Sequence, residues 1–77
     1  MNGEQNMKRP LDVLGSSLDK NIIVQTKFNE SITGVLKAFD SHINIWLEEA
    51  RIQGEKELSL GKVLIRGDNI VYISPSK

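Results

Sequence analysis

Hydrophobic and polar positions follow two different periods along this chain. From Pro10 onward, Leu11, Leu14 and Leu18 recur at helical spacing, and Pro10 suits a first helical turn, where its missing N–H costs nothing. This predicts a short amphipathic helix of about two turns, which must dock on something to persist. Gly15, Ser16 and Ser17 weaken it. After Asp19 the period falls to two: Ile22 and Val24 alternate with Ile23 and Gln25, predicting a first strand that ends in a hairpin loop at Phe28, Asn29 and Glu30. A second strand is expected from Ser31 to Phe39, where the interior Gly34 marks a sharp bend or a close backbone approach. His42 to Glu49 alternates again, with Ile43, Ile45 and Leu47 on the expected core face and His42, Asn44, Trp46 and Glu48 opposite. Arg51 to Glu57 contains Gly54 and reads as an exposed turn, and Leu58 to Arg66 as a fourth strand interrupted by Gly61. Gly67, Asp68 and Asn69 are turn formers, with Gly67 expected at positive φ. Ile70 to Ile73 completes a fifth strand, ended by Pro75. One helix followed by five short strands joined by tight turns predicts a mostly β fold, a strongly bent five-stranded antiparallel sheet forming a small open barrel. Residues 1–8 show neither period and read as a flexible tail, which leaves 9–77 as a single domain.

Composition narrows the function classes. At 77 residues the chain is too short for a two-domain cofactor enzyme. With no cysteine and a single histidine, neither a disulfide framework nor a thiolate or multi-histidine metal site can form, and no cofactor is expected. The acidic residues Glu48, Glu49, Glu55 and Glu57 lack the spacing of a calcium loop and read as a solvated stretch. No apolar run is long enough to span a bilayer and the first residues carry no signal-peptide pattern, so no membrane partner and a cytoplasmic location are expected. Ten basic residues balance ten acidic ones. Duplex binding by phosphate neutralisation would call for a basic surplus, so any nucleic-acid contact has to be local. A chain this small buries only about 60% of its unfolded surface, and oligomerisation is the one remaining aid to stability.

Two stretches carry a family likeness. Gly34 to Ala50, GVLKAFDSHINIWLEEA, and Leu64 to Ile73, LIRGDNIVYI, resemble the paired motifs of the Sm and Sm-like (LSm) RNA-binding proteins. The pairing of G-x-L-x-x-x-D-x-x-x-N with a downstream I-R-G is specific in combination, and the helix-plus-five-strand order agrees with that family. Two departures are minor: Ile43 stands where the family commonly has methionine, and the loop between Arg51 and Glu57 is short, while the compactness and unspecialised termini resemble an archaeal, single-gene ring. The resemblance implies a homo-oligomeric ring, usually a heptamer, in which the fourth strand of one subunit pairs with the fifth of the next. Sheet physics points the same way, because an isolated five-stranded sheet has two unpaired edges, blunted here only by Pro75, and head-to-tail pairing of unlike edges can close a ring.

The same resemblance places Asp40, His42, Asn44, Arg66 and Asp68 around a central pore, where they would bind uridine-rich single-stranded RNA. His42 and Arg66 offer flat faces for stacking an unpaired base. Asn44 offers an amide edge that suits uracil, with Asp40 expected to orient it by a hydrogen bond and Asp68 to hold Asn44 or Arg66. Gly67 enters as the turn between the last two. Taken alone, a strand histidine is usually surface decoration and Trp46 a partly covered side chain; the paired motifs are what raise His42 to a binding residue. Asp40-Ser41-His42 contains the residue types of a hydrolase triad, yet adjacent strand residues point to opposite faces, so catalysis is not expected. Arg66-Gly67-Asp68 spells a cell-attachment tripeptide without a secretion signal, and is discounted. The expected protein is a non-enzymatic RNA-binding ring that scaffolds RNA processing or ribonucleoprotein assembly, with RNA-processing proteins as candidate partners. The alternative is a ring-forming structural or protein-interaction module without RNA-specific binding.

Overall fold

The computed structural model describes residues 9–54 and 56–75. The expected tail over residues 1–8, and Glu55 of the acidic stretch, lie outside them. Helix α1 spans Pro10–Gly15, with Pro10 in its first turn. The Arg9 N–H donates to Asp12 Oδ2 at 3.2 Å, and the Ser16 hydroxyl closes the far end on the Val13 carbonyl at 2.6 Å. Six residues make less than the two turns expected. Of the three leucines placed on one face, only Leu14 is buried, while Leu11 and Leu18 remain exposed. The physical reason is the early stop: beyond Gly15 the backbone leaves the helix in a turn, so Leu18 never completes the helical stripe.

Strand β1 (Asn21–Thr26) buries Ile22, Val24 and Thr26, as alternation requires. Its hairpin to β2 (Ser31–Phe39) is built locally. Thr26 Oγ1 accepts the backbone N–H groups of Phe28 and Glu30, at 3.2 and 3.3 Å, and Asn29 turns the chain at φ 66°. Gly34 lies inside β2 where a β-carbon would come within 3.2 Å of Ala50 Cα, the Glu48 carbonyl oxygen and Leu47 Cβ, so it is the close approach that the sequence suggested.

Strand β3 runs from Ile45 to Gln53, which corrects the expected limits at both ends. His42, Ile43 and Asn44 precede the strand in a tight turn, with Ile43 at φ 62°, so Ile43 packs half-buried against the core from the turn and not from the strand. Arg51 to Gln53, read as part of an exposed turn, instead pair with Thr33, Ile32 and Ser31 of β2. Alternation fails midway because Glu49 takes φ 54° and the register with β4 (Leu58–Ile65) shifts between Leu47 and Ala50, so Ala50 rather than residue 49 enters the core. Gly61, at φ 73°, faces Ala50 across that irregularity. Such a bulge bends and twists the ladder. Arg66 follows β4 rather than ending it, and a short 3-10 turn, Gly67–Asn69, leads into β5 (Ile70–Pro75), which continues two residues beyond Ile73.

The five strands form one antiparallel sheet in the order β4-β3-β2-β1-β5. Ile22, Val24, Leu36, Ile45 and Leu47 are its largest fully buried side chains, each contributing roughly 1.5–3 kcal/mol of burial. Strands β4 and β5 are the two edges. Both edges expose large apolar side chains, Leu58 and Leu64 on one and Val71 and Tyr72 on the other.

Candidate nucleic-acid interface

Two turns side by side at the base of the β3–β4 hairpin build the site. The first, residues 40–44, is organised by Asp40. Its Oδ1 accepts the backbone N–H of His42 at 2.9 Å and that of Asn44 at 3.1 Å, while the main chain closes through Ile43 N–H to the Asp40 carbonyl at 3.0 Å. The other carboxylate oxygen, Oδ2, accepts from Asn44 Nδ2 at 3.2 Å. These donors hold the Asp40 carboxyl below the usual carboxylate range, the Asn44 side-chain amide first, then the Asn44 backbone N–H. The turn also keeps Ile43, a β-branched residue, in the left-handed region, a strain of the kind that surrounding contacts must sustain.

The second turn meets the first through one bond. Gly67 N–H donates to Asn44 Oδ1 at 2.8 Å, so the amide is fixed at both ends, oxygen toward Gly67 and nitrogen toward Asp40. Flipping it would set an NH2 against an N–H donor. An amide so held keeps one N–H and one oxygen lone pair free for a ligand. Gly67 is not at positive φ, which corrects the expectation for it. A β-carbon there would overlap the His42 carbonyl oxygen and crowd Ile43, so glycine is required by close approach.

His42, Asn44, Arg66, Gly67 and Asp68 together line an open cleft of about 420 Å³. The structure thus brings five of the six expected site residues into one space, with Asp40 behind Asn44 as its support. His42 and Arg66 are exposed at the cleft and Asn44 is half-buried within it. Asp68 is exposed and makes no hydrogen bond or ion pair with Asn44 or Arg66 among the described residues; the holding role expected of it falls to the backbone N–H of Gly67. No residue type signals such a donor. Trp46 lies on β3 between Ala38 and Leu64 and lines a separate hollow on the other side of Asn44. Ser41 also stands in the turn and not on a strand, so facing cannot be what separates it from His42, and its hydroxyl lies 3.5 Å from His42 Nδ1. The triad still does not form, because Asp40 spends its carboxylate on backbone N–H groups and Asn44 rather than on the imidazole.

The sequence model of the LSM domain matches residues 12–75, nearly the whole described chain. The chain belongs to the LSM family. A relative of this LSM protein in Thermoplasma acidophilum, named as an snRNP Sm-like protein, is 41% identical over 71 residues, covering 90% of this chain and 86% of its own. Among solved structures, the Sm protein of Pyrococcus abyssii in complex with a uridine heptamer matches with a TM-score of 0.84 and 41% identity, covering 90% of this LSM chain and 100% of that one. The SmAP1 heptamer of P. aerophilum matches with a TM-score of 0.87 at 29% identity, over 92% of this chain and 97% of that one. The LSM match takes in both turns of the cleft, so the five strands, the candidate site and all but the first two residues of the helix fall within one family unit.

Proposed function

We propose that this LSM protein forms a closed homo-oligomeric ring, heptameric like its P. aerophilum relative, and binds uridine-rich single-stranded RNA in the cleft between residues 40–44 and 66–68. The observation that carries this reading is the Asn44 amide, locked between Asp40 and Gly67 and set in a cleft flanked by His42 and Arg66. A uracil edge presents carbonyl acceptors beside an imide donor. The free Asn44 N–H meets the carbonyl and the remaining Oδ1 lone pair meets the imide, while His42 and Arg66 stack on the base faces. Asp68 shares the cleft with Arg66, so charge there is nearly balanced and base contacts carry more of the affinity than phosphate attraction. The two open edges, β4 and β5, each with exposed apolar side chains, support head-to-tail pairing of subunits. The uridine-bound P. abyssii relative supports the ligand class. The ring acts without catalysis, as a scaffold for RNA processing or ribonucleoprotein assembly.

Titration with oligouridine and oligoadenosine at two salt concentrations tests this. Asn44→Ala should bring the two affinities together with little change in salt slope, a loss on the order of 1–3 kcal/mol of discrimination. Arg66→Ala should weaken both strands and flatten the slope. A protein that assembles yet binds neither strand would instead be a structural or protein-interaction ring.

A further inference from the structure

Among the described residues, Phe28 is the most exposed large apolar side chain, at 66%. Leu58, Leu64, Val71 and Tyr72 lie on the edge strands and Leu11 and Val13 on α1, but Phe28 belongs to neither; it stands at the tip of the β1–β2 hairpin. That tip is held from two sides. Inside it, Thr26 Oγ1 takes the N–H groups of Phe28 and Glu30. Outside it, Lys27 N–H donates to the Asn69 carbonyl at 2.9 Å, which ties the tip to the short turn carrying Gly67 and Asp68. The Lys27 ammonium lies 5.9 Å from the centroid of the Phe28 ring. An aromatic face and a cation are therefore presented together to solvent, on a braced support, beside the turn that forms one wall of the cleft.

We propose that Lys27 and Phe28 form a second nucleotide subsite on each subunit, in which a further base of the same single strand stacks on Phe28 and a phosphate meets Lys27. This rests on the reading of the cleft as a uridine site. The two subsites divide the work by chemistry. The cleft reads a base edge through Asn44, whereas the tip has a π-face and a charge, which serve any base. Contact with a phosphate at Lys27 adds to the salt dependence.

The assembled protein is titrated with oligouridine and oligoadenosine for wild type, Phe28→Ala, Phe28→Tyr, Lys27→Gln and Asn44→Ala, and a strand carrying 5-iodouridine is photo-crosslinked and the attached peptide identified by mass spectrometry. Phe28→Ala should weaken both strands by the same factor, about tenfold, with uridine preference intact. Phe28→Tyr should restore binding, Lys27→Gln should lower the salt slope, and crosslinks should fall at Phe28. Because Phe28 is exposed, circular dichroism and assembly mass should not change in its variants. Wild-type affinity for both strands in Phe28→Ala, with Asn44→Ala still losing its preference, would overturn the tip subsite and leave the cleft standing. Loss of uridine preference in Phe28→Ala would likewise overturn it, because the tip would then act through the cleft. Failure of wild type to bind either strand would remove both.

Discussion

Gly67 sits where any β-carbon would overlap the His42 carbonyl oxygen, so Gly67→Ala must push the two turns of the cleft apart. Urea denaturation should show a loss on the order of 1–3 kcal/mol, as expected for overpacking against backbone, and oligouridine affinity should fall with it. Unchanged stability would mean that the turns separate freely. Asp40 gives a second test at this scale. Its carboxyl titrates below the usual carboxylate range, so as pH falls the unfolded chain takes up the proton first. The stabilisation is complete above the ordinary Asp range and is lost as pH falls through the depressed folded value. An acid titration followed by the NMR signals of the Asn44 side-chain amide should show this transition, and Asp40→Asn should remove it. His42, Asn44 and Arg66 were legible because the paired motifs carry them as residue types. The Gly67 donor was not, since a backbone N–H has no signature in sequence and nothing in the chain order says that residues 44 and 67 touch.

At the level of elements, the close packing at Gly34 and the proposed pairing of the edges make separate predictions. Gly34→Val would set methyl groups against the Ala50 and Glu48 backbone and Leu47, where even a β-carbon comes within 3.2 Å. It should cost about 1–3 kcal/mol, seen as a lower melting temperature. Leu64→Lys and Val71→Lys place a charge on side chains that are already exposed in the protomer, so the fold should hold by circular dichroism while sedimentation shifts toward monomer. Assembly that survives both changes would put the contact elsewhere. Element order and type are readable from periodicity because β1, β2 as far as Leu36, and the first half of β3 keep alternation. The phase slip at Glu49 is not, since a bulge is set by how the ladder curls and not by the residue that occupies it. The incomplete second turn of α1 has a local cause, the Gly15 stop followed by the Ser16 hydroxyl bond to Val13.

For the whole molecule, the proposed ring makes assembly part of stability, because the core is small and both edge strands expose apolar side chains. Sedimentation at micromolar concentration should give a mass several times 8.6 kDa, and the melting temperature should rise with protein concentration because association stabilises the folded protomer by mass action. A concentration-independent melt at the monomer mass would exclude the ring. The bond between Asn44 and Gly67 reaches across 23 positions of sequence and fastens the root of the β3–β4 hairpin, whose first pair is Ile45 with Ile65. Beyond that root β2 holds β3 in the sheet as far as Gln53, so only the connection past Gln53 is an arm. Its outer end can grow by matched pairs of residues without moving the root, since doubling a flexible connection costs only about 0.6 kcal/mol, whereas a single added residue within the ladder would turn its side chains to the opposite face. A peptide tag or fluorophore grafted beyond Gly54 would therefore ride outward on the arm while the cleft keeps its geometry, so the arm is the natural handle for attaching cargo.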